Sequence, residues 1–314
     1  MRYGPSNSDR INRINRIEAD GLNPVNPVNP VKMVLVLLAV VVCAGFAARQ
    51  TNSGSVGSPF ALASWELAPG SEESVWGAGG VQLGRKDKPS VAMFLWLYEW
   101  NLFDAVDKGE HTHGTVLPKR AISVDQEEAA VSSAGIEFRL RAVEDGATVQ
   151  LIIINRSDHD WPPLAAIIPC FNPGPAALRS SGLGDDEHRR TYFLGSEGLV
   201  PLGTREIHFR RELRPLIDRL SPSRQFVFSH KWPTSSDNAA GGILIRESED
   251  GHWVTGIAWE DYVAVQGHNP WKCLHVALRV GPLARGETKT VRGRIYLFPG
   301  NRSDCLTKYR KDFP

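Results

Sequence analysis

The sequence predicts an all-β fold, an antiparallel β-sandwich (supersandwich) with few short helices. Short runs of alternating β-type residues recur along the chain and are separated by glycine, proline, asparagine and aspartate, which is typical of strands joined by turns. Two pairs of neighbouring runs are each joined by an Asp-Gly turn. No long amphipathic helix lies between strands, which disfavours a doubly wound parallel sheet.

The strands follow from this pattern in chain order. Asp-Gly tolerates the positive φ of tight turns, so the sequences at 144–146 and 249–251 each predict an antiparallel hairpin. Helical signal is confined to 210–220, predicted as two turns interrupted by Pro215, and to a short terminal helix at 304–313. The predicted strands are 91–100, 136–142, 148–154, 164–168, 225–229, 242–246, 253–259, 273–280 and 290–298.

The N-terminal region contains an unbroken apolar segment at 33–48. It is shorter than the roughly 20 residues of a bilayer-spanning helix, and it suits the apolar region of a signal peptide followed by the small-x-small sequence Gly45-Phe46-Ala47. We therefore expect export to the periplasm or the cell exterior, with membrane anchoring if the segment stays uncleaved. Met33 is an alternative true start.

The domain organisation follows from the same reading. Short repeats before the apolar segment contain too little apolar variety to form a core, and a Ser/Gly-rich stretch after it predicts a flexible linker. The expected divisions are a low-complexity leader at 1–32, the signal segment at 33–48, the linker at 49–60 and a single β-sandwich domain at 61–314.

Composition limits the partners. With 42% hydrophobic residues, 23% charged residues and a net charge of +1, the chain can bury a sizeable core but presents no basic run for nucleic acid. We expect no nucleic-acid partner, and contact with a membrane only through the N-terminal segment. Among Cys170, Cys273 and Cys305, two can pair in an oxidising compartment, and the sequence leaves the pairing open.

The segment at 135–175 contains a pair of predicted strands and then the sequence Asn-Arg-Ser, which begins at Asn155 directly after the second strand; we call this sequence the Asn-x-Ser exit. It also contains the sequence Ile-Pro-Cys-Phe-Asn-Pro at 168–173. It resembles the galactose mutarotase-like β-supersandwich, in which a strand ending in Asn-x-Ser precedes a His-Pro-Tyr-Phe-Asn element. The resemblance implies a large antiparallel sandwich whose concave face binds sugars. Ile168 stands where such mutarotases have a catalytic histidine. The resemblance therefore implies the fold of this family more strongly than its mutarotase reaction.

Aromatic and polar residues are concentrated at 253–275. Aromatic faces stack on pyranose rings, while carboxylates, amides and imidazoles bind their hydroxyls, so this mixture predicts a carbohydrate groove. As general acid or base we predict His268 or His113, with Glu260 or Glu99 as partner. The predicted substrate-binding residues are Trp253, Trp259, Trp271, Tyr262, Asn269, His230 and Lys231.

Two histidines two residues apart suggest a metal site. On a strand, His111 and His113 would point to the same face and reach one ion, so the cofactor is either absent or a divalent metal. The leading hypothesis is an exported carbohydrate-binding or carbohydrate-active protein that recognises a carbohydrate or polysaccharide. The alternatives are a non-catalytic structural or interaction module of the envelope and a cupin-like metal-dependent enzyme.

Overall fold

A computed structural model describes residues 57–66, 79–88, 92–96, 121–133, 135–172, 188–221, 232–266 and 273–314. The described residues form seventeen strands. They are β1 (Phe60–Glu66), β2 (Gly79–Arg85), β3 (Ala92–Trp96), β4 (Ala121–Val124), β5 (Glu128–Ser133), β6 (Ile136–Val143), β7 (Gly146–Ile154), β8 (Ala166–Ile167), β9 (Cys170–Asn172), β10 (Thr191–Gly195), β11 (Gly198–Pro201), β12 (Ile207–Phe209), β13 (Ile243–Glu247), β14 (Trp253–Trp259), β15 (Tyr262–Gln266), β16 (Leu274–Arg279) and β17 (Thr288–Pro299).

The strands build two sheets in which every strand pair is antiparallel. Sheet A has the order β1-β2-β3-β9-β16-β15-β12, with β8 also paired to β16. Sheet B has the order β11-β10-β13-β14-β17-β7-β6-β5-β4. Because alternate residues of a strand face opposite sides, the inward residues of both sheets meet in one apolar core. The predicted all-β antiparallel sandwich is therefore confirmed.

Short helices cover the outer faces of the sheets. A 3₁₀ turn at Arg211–Leu213 leads into α1 (Arg214–Leu220), which closes an apolar cluster on the outer face of sheet A. The terminal helix α2 (Arg302–Asp312) covers a second cluster beside β13, β14 and β17, and Asn301 caps its first turn. Among the described residues, no helix has the length and apolar character needed to span a membrane.

Both predicted hairpins are present. Strands β6 and β7 pair around the turn before Gly146, which has φ of 138°, and β13 and β14 pair around a turn in which Gly251 has φ of 71°. The terminal helix is also confirmed. The prediction for 210–220 was wrong in one respect: Pro215 lies in the first turn of α1, where its missing N–H breaks no hydrogen bond, and so it begins the helix rather than interrupting it.

Several strands escaped prediction. Strands β1, β2, β4, β5, β9, β10, β11, β12 and β15 lie outside the predicted runs. Strand β4 is only four residues long, with exposed and half-buried residues in alternation. Strand β15 is buried along its whole length, so it shows no alternation of buried and exposed residues. The predicted strand at 225–229 lies outside the described residues.

Candidate functional site

A group of buried polar side chains lies on the outer face of sheet A. We call it the sheet A polar cluster, and it comprises Cys170 and Asn172 of β9, Gln266 of β15, Cys273, and His275 of β16. In the strand register, Cys170 is opposite His275, and His275 is opposite Gln266. Residues 274 and 276 on β16 face the main core, so His275 faces the other way. The cluster therefore lies on the side of sheet A that is turned away from sheet B.

Hydrogen bonds fix the side chains of this cluster. Nδ1 of His275 donates a hydrogen bond to Oε1 of Gln266, because a carbonyl oxygen only accepts. Nδ2 of Asn172 donates to Sγ of Cys273 over 3.7 Å. His275 is 1% exposed, Gln266 3% and Asn172 4%, so two amides and an imidazole are held in a dry environment where their hydrogen bonds are strong.

Cys170 and Cys273 form a disulfide with their Cα atoms 6.0 Å apart, which answers the question of pairing. Cys305 is a free thiol on the buried face of α2, and burial raises the pKa of that thiol well above its usual value. One nitrogen of His275 and the two disulfide sulfur atoms lie within 4.8 Å of one another. In the disulfide state these sulfurs are not thiolates, the form in which cysteine binds metals.

The chain connecting β15 to β16 begins directly after Gln266 and ends at Cys273, both members of the sheet A polar cluster. It contains His268, Asn269 and Trp271, three of the predicted site residues, which lie outside the described residues. The cluster therefore borders the part of the sequence in which a sugar site was predicted. The other predicted residues outside the described part of the chain are Glu99, His111, His113, His230 and Lys231.

Two of the predicted stacking residues belong to the core. Trp259 has no exposed surface, and its ring packs edge-on against Phe138 with centroids 5.8 Å apart. Tyr262 is 5% exposed, and its hydroxyl donates to the carbonyl of Ala239 over 3.1 Å. Burial raises the pKa of the Tyr262 phenol, so it remains a neutral donor. The burial of both rings corrects the prediction that they stack on a sugar.

Trp253 is half-buried at the start of β14. The guanidinium of Arg85 lies 5.2 Å from its ring centroid and the ammonium of Lys88 lies 5.7 Å from it, so this ring forms cation–π contacts with side chains of its own chain. A sugar would have to displace these cations in order to stack on the indole.

Glu260 lies in the turn between β14 and β15. Its carboxylate accepts hydrogen bonds from the backbone N–H and from Nε of Arg292, each 2.6 Å long. Strand β15 separates this turn from Gln266 by about 13 Å, because a strand advances about 3.3 Å per residue. Glu260 is therefore at the opposite end of the strand from the sheet A polar cluster, where the connection containing His268 begins.

Asn155, the first residue of the Asn-x-Ser exit, is a structural anchor. Its Nδ2 donates to the carbonyls of His159 and Leu283, both over 2.9 Å, and its Oδ1 accepts from the backbone N–H and the hydroxyl of Ser157. Asn155 is fully buried, so these bonds fix the chain as it leaves β7 in sheet B towards β8 and β9 in sheet A. The exit thereby positions the strand that contains Cys170 and Asn172.

Comparison with known proteins gives a loose structural resemblance. The fold is similar to that of a candidate aldose 1-epimerase from Escherichia coli K12, with 13% sequence identity and a TM-score of 0.30. The similarity covers 60% of this chain and 72% of that chain. The sequence matches no known protein-family model and no curated protein.

Sequence reasoning missed part of the cluster. Asn172 lies in the segment at 135–175 that resembles the mutarotase-like family, and His275 lies in the stretch at 253–275 that is rich in aromatic and polar residues. No sequence pattern identified Gln266 as a neighbour of these two residues. The signal that was available is a polar residue at the end of an otherwise apolar strand: Gln266 follows Tyr-Val-Ala-Val in β15. A buried amide in that position requires a hydrogen-bond partner, which is His275.

Proposed function

We propose that this chain is an exported protein that binds or acts on carbohydrate through a site built at the sheet A polar cluster. The observation that supports the proposal is the convergence of Asn172, Gln266 and His275 on one sheet face, at the point where the connection containing His268, Asn269 and Trp271 begins and ends. Amides and imidazoles donate to and accept from sugar hydroxyls, and Trp271 adds an aromatic face.

The proposed roles follow from the chemistry of the side chains. His268 is the general acid or base, Asn269 and Trp271 bind the sugar, and the paired Gln266 and His275 provide a rigid floor for the site. A histidine suits the first role because its ordinary pKa lies near neutral pH, where the ring both donates and accepts protons. The distant Glu260 is not part of this proposed site.

Export is supported by the apolar segment at 33–48 and by the pairing of Cys170 with Cys273, since disulfides persist in oxidising compartments. The test is to express the full chain in a bacterial host and to sequence the N-terminus of the product recovered from the periplasm. A new N-terminus near Ala48 is expected. Recovery of the intact chain from the cytoplasm alone would refute export.

Carbohydrate recognition is tested with a glycan array and a polysaccharide degradation assay on the purified protein. His268→Ala and Trp271→Ala should abolish binding or turnover, whereas His252→Ala is the matched control because His252 lies exposed in the β13–β14 turn. A wild-type protein that neither binds nor degrades any glycan would refute the proposed function. Equal activity of the His268 and His252 variants would refute the assignment of the site.

A further inference from the structure

The outer face of sheet B contains an open groove beside the terminal helix, with a volume of about 900 Å³. Its floor is formed by the outward-facing residues of β5, β6, β7 and β17, and the last residue of α2 together with Phe313 forms one wall. The lining differs from the aromatic sugar platform expected from the sequence, because four of its residues are arginines. The polar lining residues on β6, β7 and β17 are Arg139, Arg141, Thr148, Gln150, Arg292 and Arg294.

The strand register arranges these side chains in two rows across the sheet. In the first row Gln150 of β7 lies between Arg139 of β6 and Arg292 of β17. In the second row Thr148 lies between Arg141 and Arg294. Neighbouring strands are about 4.8 Å apart, so the two arginines of a row are separated by roughly 10 Å at the backbone. The groove thus has a polar centre line with arginines on both sides.

One arginine is fixed by the protein, and three are available to a ligand. Arg294 is 13% exposed at its side chain, and it is held by Asp145 and Asp312. The side chains of Arg139, Arg141 and Arg292 are 57%, 69% and 64% exposed. Exposed ion pairs are weak, so a ligand can replace their partners at little cost.

The three exposed arginines also have unused hydrogen-bond donors within the described part of the chain. Arg139 uses Nε and Nη2 on Glu137, and Arg292 uses Nε on Glu260. Arg141 approaches Glu128 only to 3.7 Å, which is beyond hydrogen-bond distance. Planar guanidinium groups bind carboxylates in a bidentate manner, and Gln150 adds an amide between them.

From this arrangement we infer that the groove binds a polysaccharide that bears carboxylate groups. The choice of a glycan rests on the proposed function, whereas its acidic character rests on the arginines. A more densely charged polymer such as nucleic acid is disfavoured, because Asp125, Glu128 and Asp312 line the same groove. The backbone N–H groups of Glu128 and Glu127 lower the pKa of Asp125, which keeps this carboxylate ionised and repels closely spaced anions.

The test measures the affinity of the full chain for sodium polygalacturonate by calorimetry, with methyl-esterified polygalacturonate as the neutral counterpart. The double variant Arg139→Gln/Arg141→Gln should weaken binding about tenfold or more, because it removes charge-assisted hydrogen bonds. The matched control is Arg211→Gln/Arg219→Gln, which removes the same charge from exposed positions near α1. The control should bind like the wild type, and added salt should weaken wild-type binding.

Three results would overturn the inference: equal binding by the groove variant and the wild type, equal binding of the esterified polymer, or binding of dextran sulfate without binding of polygalacturonate. Failure of the proposed function is distinguishable. If His268→Ala and Trp271→Ala leave every glycan interaction unchanged while Arg139→Gln/Arg141→Gln abolishes polygalacturonate binding, the groove assignment stands and the sheet A site is refuted.

Discussion

The imidazole of His208 in sheet A stacks on the ring of Phe193 in sheet B, with ring centroids 4.1 Å apart and planes inclined by 29°. Nδ1 of His208 is also 3.0 Å from the carbonyl oxygen of Asp237, to which it donates. Burial lowers the pKa of His208 below its ordinary value of 6.5, although the bond to Asp237 and the nearby Glu206 oppose this shift. The folded protein therefore keeps this ring neutral at neutral pH.

This relationship predicts a loss of stability in acid. The unfolded chain binds a proton at His208 near pH 6.5, and the folded chain binds it only at lower pH. The stabilisation is therefore complete above the unfolded pKa and is lost as the pH falls through the folded pKa. The melting temperature should fall less between about pH 7.5 and about pH 5.5 in His208→Phe than in the wild type. His252→Phe, an exposed control, should retain the wild-type slope, and an unchanged slope in His208→Phe would contradict the prediction.

Gly293 on β17 lies opposite Trp259 on β14, and a Cβ at this glycine would come within 2.4 Å of two atoms of the indole. Because Trp259 is fully buried, its ring has no space into which to move. Gly293→Ala should lower the free energy of unfolding by about 1–3 kcal/mol, as measured by urea titration. Gly203→Ala is the control, since a Cβ there meets no atom within 4 Å. Equal stability of the two variants would show that the core accommodates the methyl group.

Asn155 should be important for stability rather than for recognition. Asn155→Ala removes hydrogen bonds to His159, Leu283 and Ser157, at a cost of about 1–3 kcal/mol, since the carbonyls of Leu283 and His159 keep their bonds from Trp161 and Ser157. Ser157→Ala removes only part of this network and should have a smaller effect in the same urea titration. If both variants have wild-type stability, the anchor between β7 and β8 is not required for the fold.

The disulfide gives a prediction about thiols. In a chain lacking residues 1–48, a thiol reagent should find no reactive cysteine in the folded, non-reduced protein and one after denaturation, because Cys305 is buried and Cys170 is paired with Cys273. Cys170→Ser/Cys273→Ser should lose about 2–5 kcal/mol of stability, since the bridge closes a loop with a sequence separation of 103. Three thiols in the denatured, non-reduced protein would refute the pairing.

The sequence by itself determined the all-β class, the two Asp-Gly hairpins and the terminal helix. Each depends on residues close together in the chain: the alternation of β6 and β7 and the glycine required at 146 are local properties. The local signal failed for strands such as β15, which is buried on both faces and has no alternation.

Only the tertiary structure decided what the side chains of the site do. Trp259 and Tyr262 read as sugar-stacking residues in the sequence, but the pairing of β14 with β17 and the approach of Ala239 place them in the core. The sheet A polar cluster and the arginine rows join strands that are distant in the chain, such as β6 and β17. Strand register is a non-local property: it sets which residues become neighbours across a sheet, and no local pattern encodes that choice.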